Sequence, residues 1–444
     1  MKPQVMQILD MNAFDHAGLI DADADDLLSR RRRNFGPISV LFYRDPIEMV
    51  RGDGVWMEAA DGRRYLDFYN NVPSVGHCHP KVAQAIADQV ATLNINTRYL
   101  NERVESYLER LKATLPDPLE NVALCCTGSE ANDLAMRVAM AATGGRGFIV
   151  SEAAYHGNTA AVTEISPSAL KRRAPPDYVA VVPPPGRRAF GDDIAGGFAA
   201  AVAEAADGLK ARGFPLAALI CDSIFSSDGV YADPAGYLAP AVAVARAAGG
   251  LFIADEVQPG FGRTGAMWGF ERHRVTPDVV TMGKPMGNGF PMAGMATRPE
   301  WLAKFVDDIG YFNTFGGNPV AAAAGAAVLD VIEEDDLLAN ARVVGAYLLD
   351  RLETLKTRHA SLVEARGAGL FLGIELCRDG DLGQPDAKVT VRTIDGLRDR
   401  GVLIGAAGRY GNILKVRPPL RLAREEADQF VSALDAALGE ATAS

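Results

Sequence analysis

The stretch "LFIADEVQPGFGRTG", Leu251 to Gly265, decides how this chain is read. Its last six residues, Gly260 to Gly265, spell G-x-G-x-x-G after a strand-like apolar run, as a dinucleotide-binding loop requires. Such a loop also needs a long helix opening on its third glycine, and an acid about twenty residues further on. Here Gly265 is followed by "AMWGFERHRVTPD", where Gly269, Arg274 and Pro277 leave no room for that helix. The acids come earlier, with Asp255 and Glu256 at the C-terminal end of the apolar run. Ligands of open parallel sheets bind at that end of the strands. The glycines therefore read as turn and packing residues, and Asp255 as the chemical signal.

A second run, "DVVTMGK", ends at Lys284 before a glycine-rich loop. Two successive strand ends then point a carboxylate and an amine into one crevice. On spacing alone the pair could also be a buried ion pair holding two strands. The combination suits a cofactor that needs an imine and a cationic ring nitrogen, which describes pyridoxal 5'-phosphate. A carboxylate within hydrogen-bond reach keeps such a nitrogen protonated. The phosphate needs a cradle, and "CTGSEAND" (Cys126 to Asp133) offers one where Gly128 and Ser129 open a helix-like run. Backbone N–H groups and a hydroxyl at a helix N-terminus suit a dianion. Ser129 with Asn132-Asp133 also fits a plain helix cap. "AAYHGNT" supplies Tyr155 as a ring-stacking aromatic, although alone it would fit a packing role equally well.

Around these segments, short β-rich runs (Val122 to Cys126, Gly147 to Val150, Ala218 to Cys221, Leu251 to Ala254, Val279 to Met282) alternate with helix-like stretches. That alternation predicts βαβ units and a mainly parallel sheet. After about Val320 the pattern changes. One long helical stretch (Pro319 to Arg358) leads to "LFLGIEL", a helix near Val389 to Arg400, "NILKVRPP" and a last helix, which reads as a smaller α+β domain. Turn signals at Gly52-Asp53-Gly54 and Asp61-Gly62 predict a hairpin near the N-terminus.

The 444 residues are enough for two to three domains. A net charge of −11 disfavours nucleic acid and anionic membranes as partners. The basic run Arg30 to Arg33 reads as a solvated helix end. No apolar stretch reaches membrane-spanning length and no secretory signal is visible. Five cysteines without framework spacing point to a reducing compartment, and cytoplasmic is the expected location. Cys125 and Cys126 read as core residues. "GHCHP" (Gly76 to Pro80) lacks the companions a metal site needs, so no metal is expected.

Seven blocks in register give the chain a family resemblance: "YLDFYNNVPSVGHCHP", "TGSEANDLAMR", "YHGN", "FIADEVQPGFGRTG", "TMGKPMGNGFPMAG", "NTFGGNP" and "ILKVRPPL". Together they closely resemble class III aminotransferases, pyridoxal-phosphate enzymes of fold type I, from about Phe35 to Leu438. The resemblance implies an α/β fold: a large domain with a mainly parallel, mixed seven-stranded sheet, plus a smaller α+β domain. Residues 1–65 would join the small domain, 66–325 would bind the cofactor, and 326–444 would form the small domain itself. Lys284 would carry the Schiff base and Asp255 would pair with the pyridine nitrogen. Val257 and Tyr155 would flank the ring, with His156 beside them, and Gln258 would reach the ring hydroxyl. Gly128 and Ser129 would hold the phosphate. Thr314 would reach the phosphate of a neighbouring subunit, which implies a homodimer or a dimer of dimers.

The same resemblance implies transfer of an amino group from an amine or amino acid to a keto acid such as pyruvate or 2-oxoglutarate, with Arg409 meeting the carboxylate. One departure keeps a second reaction open. Many family members have Glu-Pro where this chain has Asp222-Ser223, and a gating acid where it has Ser227. Lys415 then reads as an ungated, free cation. "TMGKPMGNG", "TRYLN" and "NILKVRPP" are closer to the ethanolamine-phosphate phospholyase branch, which eliminates phosphate from an O-phosphoethanolamine-like amine.

Overall fold

The fold was analysed in a computed structural model, which describes residues 5–6, 10–11, 13–14, 26–38 and 40–443. Seven strands form the main sheet, in the order Asn121–Cys125, Ala293–Thr297, Val279–Met282, Leu251–Asp255, Leu216–Cys221, Gly147–Ser151, Val179–Val182. Ala293–Thr297 runs antiparallel to both its neighbours, and the other pairings are parallel. The inner strands are buried along their whole length because both faces are covered. Alternate residues divide between the faces. Leu251 and Ile253 pack in one cluster with helix Gly128–Thr143, whereas Phe252 and Ala254 pack in the other with helices Ile194–Ala211 and Leu238–Ala247.

All five strands expected from the sequence lie in this sheet. The two it did not announce are Val179–Val182, an edge strand, and Ala293–Thr297, built from small residues. No long helix follows Gly265; the chain turns at Gly262 and Gly265, both at positive φ, before one short 3-10 helix, Gly269–His273.

The expected long helix after Pro319 is two, Pro319–Glu334 and Leu337–Lys356. The break falls at Asp335-Asp336, where Asp336 sits in the left-handed region that aspartate tolerates better than most residues. The C-terminal region adds an antiparallel sheet, Leu362–Ala368, Phe371–Leu376, Ile413–Val416 and Gly405–Ala407. A third sheet combines the N-terminal strands Met49–Asp53, Trp56–Ala59 and Arg64–Asp67 with Val402–Leu403, so distant parts of the chain share one ladder. Arg30 to Arg33 lie on helix Leu27–Phe35. No helix among the described residues is long and apolar enough to cross a membrane.

Candidate active site

The C-terminal ends of the central strands open into a cavity of about 350 Å³. That volume lies in the usual range for small-molecule sites, about 300–1,000 Å³. Gly128, Ser129, Tyr155, His156, Asp255, Val257, Gln258 and Lys284 all line it. Three strand ends and one helix start thus bring together eight of the residues singled out in the sequence.

Asp255 ends its strand and is buried. Its carboxylate accepts from His156 Nδ1 at 2.7 Å, Asn132 Nδ2 at 3.0 Å and the Val257 N–H at 3.1 Å. Asn132 also donates to the His156 carbonyl at 2.7 Å and accepts from Thr281 Oγ1 at 2.6 Å. The carboxylate is therefore fixed by three donors, one of which, Asn132, is itself held by Thr281. His156 Nε2 is buried without a partner among the described residues. Sequence reading missed Asn132 and Thr281. One signal was available, because asparagine is a poor interior helix residue yet stands in the second turn of helix Gly128–Thr143.

Lys284 follows the next strand, Val279–Met282, at φ 33°. A lysine in that left-handed region stores strain of about 1–3 kcal/mol, a cost often found at functional sites. Burial pushes its amine below the ordinary lysine range; the Asp255 charge opposes this and Arg417 adds to it. A depressed amine holds more of its population as the neutral nucleophile.

The helix Gly128–Thr143 is capped by Thr127, whose side chain accepts from the Glu130 N–H while Glu130 reaches back to the Thr127 N–H. This corrects the alternative reading of Ser129 as the cap. Ser129 stands inside the helix and accepts from the Asn158 N–H at 3.1 Å. Helix geometry leaves the Gly128 and Ser129 N–H groups without intrahelical acceptors. A Cβ on Gly128 would stand 3.0 Å from both Val257 methyls, so a side chain there would push that wall back by a few tenths of an ångström. A Cβ on Gly157, at φ 144°, would strike Ser129 Oγ.

These features fit pyridoxal 5'-phosphate. An N-terminal helix cradle suits its dianionic phosphate. A fixed carboxylate suits its ring nitrogen, and an amine of lowered proton affinity suits its aldehyde. Tyr155 and Val257 supply apolar walls. Cys125 is buried as expected, but Cys126 is half-buried and lines the cavity. His77 of "GHCHP" bonds the buried Asp67 at 2.7 Å.

The remaining site residues lie elsewhere. Lys415 is not a free cation. It is 2% exposed, stands behind Gln258, and donates to Gln258 Oε1 at 3.2 Å and Ser226 Oγ at 3.4 Å. A buried ammonium without partners would be costly, and here burial pushes it well below its ordinary value while the Asp222 charge pulls the other way. Asn71 Nδ2 and Arg417 Nη1 also donate to Gln258 Oε1, at 3.1 and 3.2 Å. Arg409 does not line this cavity. It borders a second one, of about 210 Å³, and pairs with Glu152 at 2.6 Å. Thr314 is exposed in the loop before helix Pro319–Glu334.

The family described as aminotransferase class-III matches residues 43–438. The alanine–glyoxylate aminotransferase 2-like protein of Drosophila melanogaster is 40% identical over 91% of this chain and 85% of its own length. The ethanolamine-phosphate phospho-lyase homolog 1 of Caenorhabditis elegans is 37% identical over 93% of both chains. Among solved structures, a phospholyase from Arthrobacter in complex with phosphoethanolamine superposes with a TM-score of 0.89 at 43% identity, covering 93% of this chain and 99% of that one. The chain belongs to the class III aminotransferases, enzymes that depend on pyridoxal 5'-phosphate.

Proposed function

We propose that this enzyme transfers an amino group from a small amine or amino acid to a keto acid such as pyruvate or 2-oxoglutarate. The observation that carries the reading is Lys284, an amine of lowered proton affinity, sharing one cavity with the fixed carboxylate of Asp255. Pyridoxal 5'-phosphate bound there supplies an electron sink for the carbon bearing the substrate nitrogen. The chain's own residues do the rest. Lys284 Nζ would hold the cofactor through its aldehyde and, once free, would move the proton at the substrate carbon. Asp255 holds the proton on the ring nitrogen, and His156 and Asn132 keep that carboxylate in place. Gly128 and Ser129 would hold the phosphate, Tyr155 and Val257 would flank the ring, and Gln258 would meet the ring hydroxyl.

A homodimer completes the reading, with Thr314 reaching the neighbour's phosphate. Its support is a surface beside a cavity of about 290 Å³ where Leu100 is 96% and Phe315 69% exposed. Apolar exposure of that kind commonly marks an interface. Mixing Lys284→Ala with Thr314→Ala subunits should restore one intact site per heterodimer, and a fully active monomer in sedimentation would overturn the dimer. A cytoplasmic location agrees with five cysteines free of disulfides.

A second reading is favoured by one specific observation: two basic side chains, Lys415 and Arg417, converge on the single neutral oxygen of Gln258. Such an excess of donors suits a departing phosphate, and relatives named as phospholyases agree. A panel of amines and phospho-amines, each run with and without pyruvate, decides between the two. Amine-dependent consumption of pyruvate supports amino transfer. Phosphate release from O-phosphoethanolamine without any keto acid, with no amine transfer across the panel, replaces it with elimination.

A further inference from the structure

The hydrogen bonds to Asp255 do not divide evenly between its two oxygens. Oδ2 accepts from His156 Nδ1 at 2.7 Å and from Asn132 Nδ2 at 3.0 Å, whereas Oδ1 accepts only from the Val257 N–H at 3.1 Å. A carboxylate oxygen has about two accepting positions. The protein therefore fills Oδ2 and leaves Oδ1 one position to spare at the wall of the cofactor cavity. That division depends on the Asn132 amide. Its NH2 serves two acceptors, Asp255 Oδ2 and the His156 carbonyl, and its oxygen accepts from Thr281 Oγ1 at 2.6 Å. Thr281 shares a strand face with Val279, which packs in one cluster with helix Gly128–Thr143. Valine and threonine have nearly the same shape, so what Thr281 adds to this packing is its hydroxyl. Thr281 and Asn132 are both 0% exposed, and neither lines the cofactor cavity.

We infer that Thr281 is a further positioning residue of the reaction: through Asn132 it keeps Asp255 Oδ2 occupied, so that Oδ1 meets the ring nitrogen of the cofactor and the shared proton stays on that nitrogen. The inference rests on the reading of Asp255 as the ring-nitrogen partner, and it holds for amino transfer and elimination alike. Hydrogen bonds to a carboxylate favour its ionised form. Members of a buried chain also polarise one another, and Thr281, Asn132 and Asp255 form such a chain, hydroxyl to amide to carboxylate. Without the hydroxyl, the Asn132 oxygen becomes a buried acceptor with no side-chain donor among the described residues. The amide then bears that cost or turns away from Asp255. Either outcome weakens the donor on Oδ2.

The test uses the full-length enzyme loaded with pyridoxal 5'-phosphate isotopically labelled at the ring nitrogen. The NMR shift of that nitrogen reports its protonation without turnover, and titration of the apoenzyme gives the cofactor Kd. Thr281→Val keeps the shape and removes the hydroxyl. It should move the nitrogen signal toward the unprotonated value and raise the cofactor Kd by roughly tenfold. Thr281→Ser returns the hydroxyl and should restore both. In an Asn132→Ala background Thr281→Val should add nothing, because the hydroxyl acts through the amide. If Thr281→Val does not fold, Thr281→Ala removes the same hydroxyl from a smaller side chain and gives the same readings. A nitrogen signal that Asp255→Asn moves and Thr281→Val does not would overturn the inference and reduce Thr281 to packing, whatever the loss of affinity. A signal that Asp255→Asn also leaves in place would remove Asp255 as the ring partner, and Thr281 would lose its role with it.

Discussion

Asp255 and Glu152 are both carboxylates at the C-terminal ends of strands in one sheet, yet the fold treats them in opposite ways. Asp255 is 4% exposed and takes three donors, contributed by helix Gly128–Thr143, by the turn carrying His156, and by its own chain at Val257. Glu152 is a quarter exposed and holds one guanidinium on a turn of the C-terminal region. Hydrogen bonds in a low-dielectric interior reinforce one another, and breaking one strands the rest. A half-exposed pair is screened and worth little. The difference separates a fixed part from an exchangeable one. The carboxylate of Asp255 is set before any ligand arrives, whereas Glu152 is held by a single solvent-reached pair.

The most severe way to break the fixed side is to remove its amine. Lys284→Ala should purify without covalently attached cofactor and lose at least about a thousandfold in turnover, because attachment and proton movement both use Nζ. Absorbance of the purified protein and a single-turnover assay check this. Near-full activity would take Lys284 out of the mechanism.

Next in size is Asp255→Asn. The exchange is nearly isosteric, so the fold should hold, but the new amide NH2 faces a donor where the carboxylate accepted, and one of the bonds to His156, Asn132 or the Val257 N–H is lost. The ring nitrogen loses its counter-charge in a site shielded from water, and the rate should fall roughly a hundredfold. A thermal melt separates this from unfolding, and an unchanged rate would show that another group protonates the ring. The prediction sharpens the contrast with Glu152, whose neutralisation removes only one solvent-reached pair outside the cofactor cavity.

The sequence made the fixed side far easier to read than the exchangeable one. Asp255, Lys284, Gly128 and Tyr155 each stand next to a strand end or helix start, and such ends are marked by local apolar runs and glycines. The central strands were legible for the same reason, since burial on both faces makes them continuous apolar runs. Val179–Val182 hid because it is a four-residue edge strand in a proline-rich stretch, and Ala293–Thr297 because its small residues carry no β-forming signature. Partners were illegible wherever they lie far apart in the chain. Thr281 meets Asn132 across 149 positions, and Lys415 meets Gln258 across 157. Lys415 was read as free because its partners are neutral: an amide and a hydroxyl leave no charge pattern in a sequence.

The smallest expected effect belongs to Arg409 and tests the exchangeable side directly. Arg409→Ala removes both the resting pair with Glu152 and the proposed contact with a substrate carboxylate. Only the second enters the reaction. Loss of a charge-assisted, bidentate contact should raise KM for pyruvate by roughly tenfold. Turnover at saturating pyruvate should change far less, because Lys284 and Asp255 line a cavity that Arg409 does not border. Such a split is the signature of binding shared by ground and transition states. The same variant also releases Glu152, but that carboxylate lines the second cavity and not the cofactor cavity, so through solvent it adds little to the shift. Propylamine as donor supplies the control, since it has no carboxylate to lose a contact. Equal losses for propylamine and L-alanine would mean that the substitution disturbed the turn itself, through the Gly408 bond to Ser227, and the division between fixed and exchangeable carboxylates would no longer hold. A loss confined to L-alanine and pyruvate would leave that division standing, with Arg409 as the part that moves.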